Sequence, residues 1–299
     1  MSDTETAAAR YQGIEGWPVA EALAAMIEGQ MAAVATLQAA APALERAITA
    51  AAERLGDTGR LIYTGAGTSG RIAAQDAAEL APTFGWPRAR ALVLMAGGDA
   101  AYARAVEGAE DDAAAARAGM AGLGVGPADV VIALAASGRT PFTLGAVQAA
   151  RAAGALSIGI ANNPASALAT ACDHAVTLPT GPEIIAGSTR MKAGTAQRAA
   201  LTCLSTGIFL RLGHVWRGRM VAMVAGNDKL RARARAMVAD LTGLPEDQSA
   251  QALDRAGGDI RLALTMLTTG LDAEPADHAL ARAGGRLDRV HAGWKARDQ

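Results

Sequence analysis

Aromatic side chains are scarce in this 299-residue chain, which has three Phe, three Tyr and four Trp. So few rings leave little for base stacking, and 28 basic against 29 acidic residues leave a formal net charge of -1 with no polyanion-binding footprint. Nucleic acid is therefore not an expected partner. Cysteine is scarcer still: Cys172 and Cys203 stand in separate apolar contexts without CxxC spacing, and the four histidines, His174, His214, His278 and His291, are scattered. No local cluster has zinc-ligand spacing, so no metal is expected and both cysteines are read as reduced core residues. No run of about 18 uninterrupted apolar residues occurs, and "MSDTETAAARYQGIEGWP" lacks a basic region followed by an apolar stretch. The expectation is a soluble cytoplasmic protein without a membrane segment.

What the chain has in abundance is apolar residues, 51% against 19% charged, with alanine dominating. That composition favours helices. Pro18 to about Leu55 reads as a helical segment, with apolar residues recurring at three and four in "ALERAITAAAERL". Short aliphatic runs then alternate with helical segments: "RLIYTG" (60–65), "ALVLMAGG" (91–98), "DVVIALAAS" (129–137), "LSIGIAN" (156–162) and "HAVTLPT" (174–180). Five such strands separated by helices predict an α/β fold, a parallel sheet covered on both faces, with ligands bound beyond the carboxyl ends of the strands. Residues 1–240 are assigned to this domain. Over 241–299 the strands stop, and "ALDRAGGDI" (252–260) and "ALARAGGRL" (279–287) match at six of nine positions, which predicts a small helical appendage of helices ending at Gly-Gly turns.

The strand exits carry the candidate chemistry. Gly65, Gly67 and Gly70 form a GxGxxG, yet Thr68, Ser69 and Arg71 replace apolar packing residues and the next strand offers no acid for a ribose, which argues against a dinucleotide. Glycines let main-chain amides approach an anion at a helix start, and Thr68 and Ser69 add hydroxyl donors. A tight turn is the structural alternative. "AASGRTPFT" repeats the pattern with Ser137, Gly138, Arg139 and the N-cap candidate Thr140 before Pro141. Ser188, Thr189, Arg190 and Lys192 form a third candidate loop before a long helix. Among the carboxylates, Asp76 and Glu79 line up on one helix face, and "EGAEDD" (107–112) puts Glu107 and Glu110 one helical turn apart. A charge run of this kind is usually a solvated face, so spacing selects no catalytic pair.

In this order, "GRLIYTGAGTSGRIAAQDAAEL", "PTFG", "AVEGAEDD", "LAASGRTPF" and "GSTRMKAGTAQ" resemble the N-acetylmuramic acid 6-phosphate etherase family of the SIS phosphosugar-binding superfamily, from about residue 59 to "NDKLRARA" near residue 230. The resemblance implies a five-stranded flavodoxin-like sheet, a homodimer, a 6-phosphate held by the Ser/Thr loops, and cleavage of a lactyl ether without metal or redox cofactor. It further implies that Glu79 protonates the leaving oxygen and activates water while Glu110 moves the proton at C2. The binding set carried over is Gly67, Thr68, Ser69, Ser137, Gly138, Arg139, Thr140, Ser188, Thr189 and Lys192. Two departures stand out: Thr4 and Glu5 are not followed by the family's Arg-Asn pair, and Ala78 and Leu80 replace a hydroxyl and a cysteine beside Glu79. The alternatives on the same fold are a phosphosugar isomerase and a non-catalytic phosphosugar sensor.

Overall fold

Strands buried on both faces need no polar alternation, and "LIYTG", "VVIALA" and "LSIGIA" meet that condition with every residue buried. The computed structural model describes residues 3–295. After short 3-10 turns, one of them Asp3–Glu5, helix α1 (Val19–Leu55) leads to β1 (Leu61–Gly65) and α2 (Gly67–Phe84). Next come β2 (Ala91–Met95), α3 (Ala100–Ala103), a 3-10 turn at Ala109–Asp111, α4 (Ala113–Gly122) and β3 (Val130–Ala135). These are followed by α5 (Pro141–Ala152), β4 (Leu156–Ala161), α6 (Ala167–Ala171), β5 (His174–Thr177) and α7 (Lys192–Leu212). The chain closes with α8 (Asp228–Thr242), α9 (Glu246–Arg255), α10 (Ile260–Thr269), α11 (Ala273–Arg282) and α12 (Leu287–Lys295).

All five strands pair in parallel in the order β2-β1-β3-β4-β5. The order reverses between β1 and β3, which is where a crevice opens in such sheets. The register there is clamped at the amino ends of both strands. Asp129 accepts from the Arg60 main-chain amide at 3.1 Å and pairs with its guanidinium at 2.6 Å, while that guanidinium also donates to the carbonyls of Leu123 and Gly124. Burial alone would raise the Asp129 pKa, but hydrogen bonds from Arg60 and Gly126 outweigh it and hold the carboxyl below its ordinary range.

Residues up to Ala78 together with Arg88–Gly207 form one compact unit, and Glu79–Pro87 with the chain from Ile208 onward form another. In the first, Ile62, Val131, Phe142 and Ala146 belong to one apolar cluster on a face of the sheet. In the second, Val238, Ile260, Leu264 and Leu280 centre a helical core. Both Gly-Gly pairs end helices as expected, because Gly257, Gly258, Gly284 and Gly285 all take positive φ. Asp259 then caps α10 by accepting from the Arg261 and Leu262 amides.

Two expectations are corrected. Cys203 lies on the exposed face of α7 and is not a core residue, since Leu204, Ser205 and Ile208 take the inward positions. Cys172 is half-buried, and burial first, then the Asp173 charge, pushes its thiol pKa up to about 12. Glu107 and Glu110 do not share a helix either: Gly108, at φ 71°, breaks the chain direction and only Ala109–Asp111 forms a 3-10 turn. No helix among the described residues is long and apolar enough to cross a membrane.

Candidate active site

A helix packed this closely on its strand leaves no room for a side chain at the contact. A Cβ at Gly70 would lie 2.8 Å from the Gly65 carbonyl oxygen, so the glycines at 65 and 70 let α2 start directly over the end of β1. The Gly70 amide closes the first turn on Ala66 O at 3.1 Å, which leaves the amides of Gly67, Thr68 and Ser69 as the orphan donors of the helix start. The neighbouring strand β3 delivers a second helix start in the same way. Gly138, at φ 64°, sits against Ser166, and the Arg139 amide donates to Ser137 Oγ at 3.2 Å. Thr140 takes the N-cap position of α5, with Pro141 at the first turn, but its hydroxyl makes no capping bond and remains for a ligand.

Both helix starts face one cavity of about 380 Å³ at the strand-order switch. Gly67, Thr68 and Ser69 line it from the first loop, and Ser137, Arg139 and Thr140 from the second. Two positive helix ends and several hydroxyls directed at one volume suit an anion such as a phosphate monoester. Carboxylates complete the lining: Glu110 and Asp111 come from the 3-10 turn after β2, and Glu5 from the N-terminal turn. The lining therefore combines helix-start donors suited to an anion with carboxylates capable of acid-base work.

Of the residues singled out by sequence, Gly67, Thr68, Ser69, Glu110, Ser137, Arg139, Thr140 and Thr189 line this cavity. Gly138, Ser188, Lys192 and Glu79 are not among its lining residues. Gly138 shapes the loop from behind. The Ser188 amide bonds to Ile185 O, within the turn that carries Thr189. Lys192 is buried, and its ammonium donates to Thr180 O at 2.7 Å; burial lowers its pKa, with Glu183 opposing. Glu183 is itself fully buried and accepts from the Lys192 and Ala193 amides at 2.9 Å each, so it anchors the start of α7. Glu79 is exposed on α2, ten residues beyond Ser69. Asp76, three residues before it, points the other way, accepting from Tyr63 at 3.0 Å and from Ser205 at 3.2 Å. Burial, reinforced by Asp76, raises the Tyr63 pKa well above its ordinary value.

Glu5, in the N-terminal Thr-Glu segment that the resemblance associates with the active site, also lines the cavity, whereas sequence reasoning passed over Asp111 and a buried amide chain behind Ser69. Ser69 donates to Gln197 Oε1 at 2.8 Å, and Gln197 donates to Asn162 Oδ1 at 2.9 Å. The Ser69 hydroxyl proton, expected to face a ligand, is directed to Gln197. The available signal was Asn162-Asn163 immediately after an apolar strand, polar residues in a place where burial demands partners. Asn163 donates to Thr4 Oγ1 at 3.2 Å, and the Gly187 amide donates to Thr4 O at 3.1 Å, which fixes the segment that carries Glu5.

The chain matches the SIS domain family over residues 111–206 and the glucokinase regulatory protein N-terminal SIS domain over residues 43–151. It is 51% identical to the N-acetylmuramic acid 6-phosphate etherase of Deinococcus radiodurans over 268 residues, covering 90% of this chain and 88% of that one. The etherases of Streptomyces avermitilis and Rubrobacter xylanophilus are 42% and 46% identical, covering 89% and 82% of this chain and 86% and 82% of theirs. Among solved structures, a phosphoheptose isomerase from Francisella tularensis superposes with a TM-score of 0.50 at 21% identity, over 64% of this chain and 98% of that one.

Proposed function

The chain belongs to the N-acetylmuramic acid 6-phosphate etherase family, and from that premise we propose that it cleaves the D-lactyl ether of N-acetylmuramic acid 6-phosphate, giving N-acetylglucosamine 6-phosphate and D-lactate. The observation that carries this reading is one cavity lined by two helix starts with their hydroxyls and by Glu110. In the ring-opened sugar the C1 aldehyde acidifies the C2 proton. A carboxylate removes that proton, the electron pair forms the C2–C3 double bond, and the C3–oxygen bond breaks as the lactate oxygen is protonated. Water then adds at C3 and a proton returns to C2. We assign the C2 proton to Glu110 and the leaving oxygen and water to Glu79. The 6-phosphate is assigned to Ser137, Thr140 and the free amides of the two helix starts, with Arg139 as the adjacent cation.

We further infer a homodimer in which each site is completed by the second copy. Glu79 stands ten residues past Ser69, about 15 Å along the α2 axis. Delivery by a partner copy reconciles that distance with its assigned role. The helix α1 supports dimerisation, because Val19, Leu23, Ile27, Met31 and Val34 are all exposed along it and no charged residue occurs between Glu28 and Glu45. With Val19 83% and Met31 69% exposed, these five side chains offer roughly 500 Å² of apolar surface before the alanines between them are counted. A standard interface takes about 800 Å² per partner, and the largest patch on a typical monomer is about 300–600 Å². A charged sugar phosphate does not cross lipid unaided, so the reaction is placed in the cytoplasm, in amino sugar catabolism fed by peptidoglycan recycling.

The test is D-lactate release from N-acetylmuramic acid 6-phosphate, read with a coupled D-lactate dehydrogenase, for wild type, Glu79→Gln and Glu110→Gln. Each variant alone is expected to be inactive. Mixing the two after dissociation should restore about a quarter of wild-type activity, since half of randomly paired dimers are mixed and each holds one intact site. Wild-type turnover by Glu79→Gln would overturn its assignment, and no recovery on mixing would confine the site to one copy.

A further inference from the structure

A serine hydroxyl donates one hydrogen bond and accepts others, and it becomes one-directional when its proton is committed elsewhere. In the Ser69–Gln197–Asn162 chain the direction is set from the far end. Asn162 Nδ2 meets two main-chain carbonyls, Leu178 O at 3.2 Å and Ala193 O at 3.4 Å, and only the NH2 side of the amide satisfies both. Asn162 Oδ1 is thereby turned toward Gln197, which must present its own NH2, at 2.9 Å. Gln197 Oε1 then faces Ser69, and the serine must donate, at 2.8 Å. Reversing any amide would set two acceptors against each other in a place where Ser69, Gln197 and Asn162 are 7%, 1% and 0% exposed. With its proton committed to Gln197, Ser69 Oγ in this cavity-lining residue keeps lone pairs only for any further partner.

A phosphate monoester, with a second pKa of about 6, is a dianion near pH 7.5 and carries only acceptors. Lone pairs facing that group repel it. Resting on the phosphosugar reading above, we propose that Ser69 Oγ accepts a hydrogen bond from a hydroxyl or amide N–H of the sugar body and is not a phosphate ligand, with Gln197 and Asn162 as the positioning residues that fix its polarity. The Ser69 main-chain amide stays a donor, so one residue serves the anion with its backbone and the sugar with its side chain. Phosphate recognition by side chains then falls to the loop of Ser137 and Thr140.

The test is calorimetric titration of the full-length protein with inorganic phosphate and with N-acetylglucosamine 6-phosphate. Ser69→Ala is expected to weaken the sugar phosphate about tenfold, the loss of one well-placed hydrogen bond, and to leave inorganic phosphate within about twofold. Thr140→Ala should weaken both ligands. Gln197→Leu frees the Ser69 proton, so it should tighten inorganic phosphate while weakening the sugar phosphate, whereas a purely structural role would weaken both together. Equal weakening of both ligands by Ser69→Ala, or no effect on either, would overturn the proposal. If wild type binds the sugar phosphate but releases no D-lactate, the reaction assignment falls and the Ser69 comparison still decides. If it binds neither ligand, the phosphosugar reading falls and this proposal with it.

Discussion

Gly70→Ala adds one methyl group where α2 meets β1. Its Cβ would stand 2.8 Å from Gly65 O and 3.2 Å from Met95 Cγ, while ordinary contact begins at 3.4 Å. Parting from the carbonyl therefore requires 3.4 − 2.8, about 0.6 Å of movement. Gly65 cannot supply it, because its carbonyl accepts from the Ala96 amide at 3.1 Å and its strand is paired on both sides. The helix start must lift, taking with it the Thr68 and Ser69 amides and stretching the 2.8 Å bond from Ser69 to Gln197. Overpacking of this kind costs about 1–3 kcal/mol, of which the better helix propensity of alanine returns about 1. Catalysis should suffer more than folding. A misplacement of about 1 Å costs on the order of 100-fold, so a fall of at least about tenfold in kcat/KM for D-lactate release is expected. Urea unfolding followed by circular dichroism measures the stability change on the same samples. Gly122→Ala, at the end of α4 with open space around its Cβ, serves as the control and should leave both quantities within experimental error or raise stability. A Gly70→Ala enzyme with wild-type kcat/KM would refute the claim that this contact positions the anion-binding turn.

Arg60→Ala leaves Asp129 buried without its main partner and should destabilise the protein by about 3 kcal/mol, the low end for a buried pair because the Arg60 side chain is 26% exposed. The pH dependence has a definite sign: the Asp129 pKa is depressed in the fold, so its stabilisation is complete above the ordinary value of 3.8 and is lost as pH falls below it. Asp129→Asn should flatten the stability profile over that window in urea titrations, and an unchanged acid limb would show that Asp129 does not contribute. Asp173, depressed likewise through Ser157 and Arg151, keeps the flattening partial. Ile27→Lys places a charge in the exposed apolar stripe of α1 and should shift sedimentation velocity from dimer toward monomer with the circular dichroism spectrum retained. A dimer of undiminished affinity would remove α1 from the interface.

The sheet was legible because its central strands are buried on both faces and read as continuous aliphatic runs, which no amphipathic helix imitates. The two glycine- and hydroxyl-bearing turns at the cavity were legible because their chemistry is local: glycine, hydroxyl and proline requirements all fall within a few residues of one strand exit. The remainder depends on partners distant in sequence. Nothing near Lys192 shows that its ammonium is held by Thr180, and nothing near Ser69 shows that Gln197, 128 residues away, takes its proton. Glu5 reaches the cavity on a segment that Asn163 and Gly187 help hold at Thr4. Cys203 was misplaced for a related reason, since α7 is apolar on more than one face and composition alone does not give the rotation of the helix.

The cations around the sheet are mostly committed to the backbone. Arg54 donates to Pro127 O and Gly154 O, Arg90 to Gly59 O and Gly56 O, Arg71 to Ala101 O and Arg104 O, and Lys192 to Thr180 O. Each is engaged with main-chain carbonyls, so these charges act as struts for the backbone. Among the described residues lining the cavity, Arg139 is the one cation beside Glu5, Glu110 and Asp111. On the proposed assignment a phosphate meets neutral hydroxyls and helix-start amides, whose attraction depends on geometry at short range, while the lining carboxylates oppose it. Screening shortens from about 10 Å at 0.1 M salt to about 3 Å at 1 M and weakens that opposition along with the pull of Arg139. Affinity for N-acetylglucosamine 6-phosphate should then change less than about threefold between 0.05 and 0.5 M sodium chloride, because the two long-range terms have opposite signs. A site built on clustered lysines and arginines would lose an order of magnitude or more over that range, and such a loss in calorimetric titrations would show that cations, not hydroxyls and amides, hold the phosphate.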